Sequence, residues 1–180
     1  MSVRITYFVH GTTTDNLDHK ATGWLPGELS PKGISQSIQL RSLINRDQFD
    51  IVFCSDLKRA VDSAGNIFEN TKTIIQDKRL RECNYGDLNG QDNSLVKYEE
   101  HITSPFLNGE SLLNVENRIK EFCDFLLTNY DNKNIAIVAH KAPQLALDVI
   151  TKNISWDEAI MSDWRKTKSW QPGWNYILEN

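Results

Sequence analysis

Two histidines in this chain close short apolar, β-branched runs: Ile5-Thr6-Tyr7-Phe8-Val9-His10-Gly11 and Ile135-Ala136-Ile137-Val138-Ala139-His140. A third such run, Ile51-Val52-Phe53-Cys54-Ser55, has Arg59 just beyond it. In open α/β sheets ligands bind outside the carboxyl ends of the strands, so these three side chains are expected to meet at one edge and converge on one anion. The chemistry that suits them is phosphoryl transfer. It needs an in-line nucleophile, positive groups around the phosphoryl oxygens and an acid for the leaving oxygen. A neutral imidazole can attack phosphorus and carry it covalently, so His10 and His140 supply one nucleophile and one cationic partner. Arg59 offers a planar fork that matches phosphate oxygens. Glu82, in the step Leu80-Arg81-Glu82, is the candidate acid.

Strands must deliver these groups, and the pattern supplies them. The first is expected over 4–9, the second over 51–54, a short third over 73–75, a fourth over 135–138 and a final edge strand over 174–178. A polar loop, 12–29, separates the first strand from a helix opened by Ser30 as N-cap and Pro31 at its first position. Ile34, Ile38, Leu40, Leu43 and Ile44 give that helix an expected apolar face. A second helix is expected over 57–68. A long one, about 113–130, carries Val115, Ile119, Phe122, Phe125 and Leu126 on one side. Residues 143–150 start another, and Ser155-Trp156-Asp157-Glu158 is a capping-box pattern for a helix near 156–164. Between 76 and 105 the chain reads as irregular, with Gly86 and Gly90 as breakers. Strands alternating with helices predict a three-layer α/β sandwich, a mostly parallel central sheet flanked by helices, in one domain spanning 1–180.

Composition excludes several classes. A net charge of −4 gives no basic face for nucleic acid. No apolar stretch approaches the roughly 20 residues of a membrane helix. Met1-Ser2-Val3-Arg4 runs straight into a strand without the layout of a signal peptide. Three widely spaced cysteines, Cys54, Cys83 and Cys123, form neither a disulfide framework nor a zinc knuckle, and reduced thiols in a cytoplasmic protein are the expectation. Asp15, Asp18 and His19 lie close together, but their loop spacing is not that of a metal site. No metal or cofactor is called for.

The same residues, in order, carry a resemblance to the histidine phosphatase superfamily, the phosphoglycerate-mutase-like enzymes. His10-Gly11-Thr12, continuing to Asn16, resembles the nucleophile motif. Gly23-Trp24 and Leu29-Ser30-Pro31-Lys32-Gly33 resemble the substrate loop and the helix it enters. Ser55-Asp56-Leu57-Lys58-Arg59-Ala60 is similar to the phosphate-binding signature. Leu80-Arg81-Glu82 resembles the proton-donor segment, Gly109-Glu110-Ser111 the step before the long helix, and Val138-Ala139-His140 the second histidine. Six matches in order outweigh any single one. The resemblance implies a phosphoglycerate mutase-like fold and a transient phosphohistidine at His10. It further implies phosphoryl contacts from Arg59, His140 and Asn16, with Glu82 as general acid. Thr13, Gly23 and Arg81 are further candidate phosphate or substrate contacts, although the threonines of the loop can equally satisfy their own backbone.

The sequence departs from the family pattern twice. Val9 stands where the resemblance implies an arginine, and Lys141-Ala142-Pro143 replaces a small or glycine-rich step. Pro143 has no N–H to give. One lost charge-stabilising donor costs about 3–4 kcal/mol, roughly a thousandfold, which leaves a slow enzyme rather than a dead one. Lys141 is the candidate to restore part of that charge. The expected activity is hydrolysis of a small phosphomonoester, with a small phosphorylated metabolite as partner. The alternatives are a non-catalytic phosphate-ligand binder on the same fold and a phosphoprotein phosphatase. A mutase is disfavoured, because the resemblance implies longer chains for mutases, with insertions that close over the site. The tryptophan-rich stretch 156–174 is either a core element or a homodimer patch, and the oligomeric state is open.

Overall fold

The apolar runs form a five-stranded sheet in the order β3-β2-β4-β1-β5. The strands are β1 (Ser2–Val9), β2 (Ile51–Cys54), β3 (Ile74–Gln76), β4 (Asn134–Ala139) and β5 (Trp174–Glu179). The first four are mutually parallel; β5 pairs antiparallel with β1. The computed structural model describes residues 1–69 and 71–179. Asn70 and Asn180, which the predicted domain span also includes, lie outside the described residues.

Helices cover both faces. Tyr7, Val3 and Ile5 of β1 pack into the larger core with α4 (Leu112–Asn129), α5 (Lys141–Lys152) and α6 (Trp156–Met161). Phe8 points the other way, into a smaller core with α2 (Pro31–Leu43) and α3 (Lys58–Phe68). The alternation along one strand is the period of two that sends successive side chains to opposite faces. Phe8, Phe49 and Phe68 close the smaller core with edge-to-face rings 5.9–6.2 Å apart. The expected face of α4 is buried at Val115, Ile119, Phe122 and Leu126. The three cysteines are free and buried. Among the described residues, no helix is long and apolar enough to cross a membrane.

Two expectations need correction. The apolar face read for α2 is mostly on the solvent side: Ile34, Ile38 and Leu43 are exposed, while Gly33, Ser37 and Leu40 are buried. The reason is a close backbone approach. A Cβ on Gly33 would overlap Thr12 O, and one on Gly11 would overlap Gly33 O. Only the small-residue face of α2 fits against the loop after β1, so the larger apolar residues turn outward. The helix expected over 156–164 is two pieces, α6 and α7 (Trp164–Thr167). Asp163 breaks it by accepting from the Arg165 backbone N–H at 3.1 Å and restarting the turn.

Candidate active site

Register brings the histidines together. β1 and β4 are neighbours with Val9 opposite Ala139, so the next residue of each strand, His10 and His140, emerges at the same edge. Their ring centroids are 5.0 Å apart. His10 is half-buried at the wall of a cavity of about 660 Å³. Its Nδ1 lies 2.8 Å from Gly11 O. A ring nitrogen that faces a carbonyl must carry the proton, so Nε2 keeps the lone pair. Gly11 is itself fixed: its N–H donates to Ser63 Oγ at 3.0 Å, and Ser63 donates to Arg59 O at 2.7 Å. Helix α3 therefore aims the first histidine through one backbone peptide. His140 is fully buried and is not itself part of the cavity wall; its backbone is gripped by Tyr7, whose hydroxyl donates to His140 O at 2.7 Å and accepts from His140 N at 3.0 Å.

The charge state differs from expectation. Burial first, then the Arg59 charge, pushes His10 down to about 3. The same two causes, with His10 added, hold His140 well below the ordinary histidine range. Both rings are neutral near pH 7 in the unliganded site. That suits a nucleophile, but His140 is not the standing cation the sequence led one to expect. Positive charge comes from Arg59, Arg165, Lys20 and Lys141, which line the same cavity.

Arg59 is 2% exposed and works as a tie. Nη1 donates to Leu25 O at 2.7 Å and Pro26 O at 3.2 Å, and Nη2 to Gly23 O at 2.8 Å. Three of its five N–H contacts thus hold the loop over the site. Gly23 lines the cavity in the left-handed region, φ 53°, where a Cβ would strike the Asn89 amide. Glu82, 7% exposed, also lines the cavity. Oε1 accepts from Ala142 N at 2.9 Å and Cys83 N at 2.9 Å, and Oε2 accepts from Lys141 N at 3.2 Å. The carboxyl thus sits on the first turn of α5 and takes up N–H groups that the helix leaves without an internal partner. Pro143 falls inside that turn, where its missing N–H costs the helix no bond.

The remaining candidates divide. Asn16 lines the cavity; its Oδ1 accepts from Thr13 N at 3.0 Å, so its NH2 is the end left to donate. Thr13 is buried as the N-cap of α1 (Thr14–Leu17), accepting from Asn16 N at 3.0 Å, and is not part of the cavity wall. Arg81 is also away from that wall. Its Nε and Nη2 clamp Asp56 at 2.7 and 2.6 Å, and its guanidinium lies over the Trp24 ring. Lys141 lines the cavity, but Nζ is 3.4 Å from Asp163 and 4.5 Å from the centre of the Tyr98 ring. Among the described residues, no cluster of three or more His, Cys, Asp or Glu is arranged to hold a metal ion.

Sequence reasoning missed one wall altogether. Trp164, Arg165, Trp170, Gln171, Pro172 and Trp174 close the cavity on the β5 side. The signal available was the tryptophan-rich stretch itself, together with an aspartate placed to start a turn.

A model of the histidine phosphatase superfamily (branch 1) matches residues 7–166. The 2,3-bisphosphoglycerate-dependent phosphoglycerate mutase of Cytophaga hutchinsonii is 31% identical over 81% of this chain and 76% of its own. Phosphoserine phosphatase 1 of Hydrogenobacter thermophilus is 28% identical over 81% and 74%. The mycobacterial glucosyl-3-phosphoglycerate phosphatase complexed with VO3 superposes with a TM-score of 0.78 at 25% identity, covering 87% of this chain and 85% of that one.

Proposed function

The chain belongs to the histidine phosphatase superfamily, and from that premise we propose that it hydrolyses a small phosphomonoester through a phosphohistidine on His10. One observation carries the reading. His10 Nδ1 donates to the Gly11 carbonyl at 2.8 Å, which leaves Nε2 as the free nitrogen of a neutral ring at the wall of a cavity that Arg59 and Arg165 also line. Nε2 attacks phosphorus as the ester P–O bond breaks, and Glu82 gives its proton to the leaving oxygen. Water then attacks the phosphohistidine, Glu82 takes a proton from that water, and the P–N electron pair returns to Nε2. His140, Arg59 and the Asn16 amide carry the charge on the phosphoryl oxygens. An incoming dianion draws a proton onto His140, because a neighbouring opposite charge favours the charged form.

The test is a rapid quench with a labelled phosphomonoester. The reading expects acid-labile, base-stable label on the wild-type chain and none on His10→Ala, with loss of turnover. Absence of label on a wild-type protein that still binds vanadate makes the chain a phosphate-ligand binder instead. The identity to a phosphoglycerate mutase favours a second reading, transfer of the phosphoryl group to another acceptor. Release of inorganic phosphate at the same rate with and without added phosphoglycerates rejects that reading. A panel of phosphoserine, sugar phosphates, nucleotides and phosphopeptides then ranks substrates.

A further inference from the structure

Because β5 runs antiparallel to β1, with Trp174 opposite Tyr7, the segment that feeds β5 arrives at the edge where β1 ends. It brings Arg165 to the cavity that His10 lines. We infer that Arg165 is a phosphoryl-binding residue of this site, its guanidinium taking oxygens of the phosphomonoester from the side where Val9 offers no charge. The inference rests on His10 as the nucleophile and names a contact that the reading above does not include.

The guanidinium is placed in advance. Nη1 donates to Asp163 Oδ1 at 2.9 Å, Nη2 reaches Gln144 Oε1 at 3.4 Å, and the group lies 4.3 Å over the Trp164 ring. Trp164 is locked in turn, stacked on Trp174 with ring centroids 5.0 Å apart and donating from Nε1 to Gln144 at 3.1 Å. Two of five N–H groups are used, which leaves three for a ligand. Holding the fork in one geometry removes much of the rotamer entropy that an arginine otherwise loses on binding.

Two of the other cations are committed elsewhere. Arg59 spends three N–H contacts on loop carbonyls. Lys141 lies over Tyr98, and its single ammonium cannot form a fork. Asp163, with a side chain 1% exposed, faces both Arg165 and Lys141, so one carboxylate carries two cations. Burial raises the Asp163 carboxyl, yet Arg165 and Lys141 outweigh it and keep it below the usual carboxylate range. The cluster therefore retains one positive charge at the cavity wall. Arg165 also lowers the proton affinity of His10, after burial and Arg59. Its charge is thus within electrostatic reach of the His10 ring.

The experiment measures orthovanadate and inorganic phosphate affinity by calorimetry, and kcat/KM with p-nitrophenyl phosphate, for wild type, Arg165→Met and Arg165→Lys. Thermal melts establish that each is folded. Arg165→Met is expected to weaken both anions on the order of tenfold and to lower kcat/KM about 10²–10³-fold. Arg165→Lys recovers only part of each, because a point charge lacks the fork. Anion affinity and turnover within twofold of wild type for folded Arg165→Met overturn the inference. So does an effect on KM for bulky esters alone with vanadate binding intact, which would put Arg165 on the leaving group. If wild type forms no phosphohistidine but loses anion affinity on Arg165→Met, the proposed reaction fails and the anion contact stands. If phosphohistidine forms and Arg165→Met changes nothing, only the inference fails.

Discussion

The central floor of the cavity and its C-terminal wall are built by opposite strategies. The floor comes from parallel strand ends: His10 lines the cavity, with the N–H of the next residue, Gly11, held by Ser63, and His140, fully buried beside it and outside the lining, has its backbone gripped by Tyr7. The wall comes from a one-turn helix and an irregular run before an antiparallel edge strand, pinned by a buried ion cluster around Asp163 and by stacked tryptophans. The floor supplies neutral groups aimed by backbone, and the wall adds to Arg59 and Lys20 a charge, that of Arg165, aimed by another charge. Chemistry that needs an uncharged nucleophile and a cationic surround is thus divided between two regions whose stabilising forces differ. Changes in the floor should act on the chemical step, and changes in the wall on anion binding.

The strongest break is expected at Glu82, which bridges the two through the first turn of α5. Glu82→Gln should lower kcat about 10²–10⁴-fold for an alkyl phosphate, whose leaving oxygen needs a proton. The loss should shrink sharply for p-nitrophenyl phosphate, whose leaving group departs unaided. Equal losses on both substrates would take the proton-donor role away from Glu82.

Next come the two positioning residues. Ser63→Ala leaves the buried Gly11 N–H unpaired and should cost roughly 1–3 kcal/mol in denaturant unfolding. With His10 no longer held through Gly11, kcat should fall more than phosphate affinity. Asp163→Asn releases Lys141 and Arg165, raises the positive charge of the wall and should do the reverse, changing phosphate affinity more than a saturated turnover. If the two variants shift kcat and affinity in the same proportion, the division between floor and wall is wrong.

That division also explains what could be read from sequence. The strands, the Ser30 and Ser155 caps and the long helix α4 are set by local chemistry and periodicity, and they appear where expected. The strand-end histidines follow from the same signals, because strand order brings His10 and His140 to one edge. Arg81 did not follow: next to a candidate acid it looked like a ligand, yet a bidentate partner 25 residues away, Asp56, claims it. Arg165 was missed for the same reason in reverse. Its placement depends on the antiparallel direction of β5 and on Gln144 from another helix, and neither leaves a periodic trace near residue 165. The outward stripe of α2 misled because periodicity reports a face without saying which way it points.

pH sharpens the contrast further. His10 falls to about 3 and His140 lies well below its ordinary value, while an unfolded histidine titrates near 6.5. The unfolded chain therefore binds more protons as pH drops below about 6.5. The stability these neutral rings allow is fully present above that value and is lost below it, by up to about 1.4 kcal/mol per pH unit for each histidine. Unfolding midpoints should fall between pH 7 and 5, and His10→Asn should flatten part of that slope. For the same reason, the acid limb of kcat/KM, which reports the free enzyme, should lie well below pH 6.5. A limb near 6.5 would mean that the His10 ring is wet, and that Arg59 and the wall do not act on it.

The smallest effect tests whether the division stops at the cavity. Ile34 and Ile38 share the outward face of α2, one turn apart, while the inward face meets the loop through Gly33 and Ser37. If only the inward face transmits to His10, then Ile34→Gln with Ile38→Gln should change unfolding free energy by no more than about 0.5 kcal/mol, as exposed substitutions usually do. Gly33→Ala, one residue from Ile34, should cost far more, since its Cβ meets the Thr12 backbone and a backbone cannot swing aside as a side chain end can. That displacement passes through Thr12 and Gly11 to the carbonyl that orients His10, so turnover should fall with stability. A double glutamine variant as damaging as Gly33→Ala would mean that the outward face carries structural weight, and that α2 positions the floor from both sides.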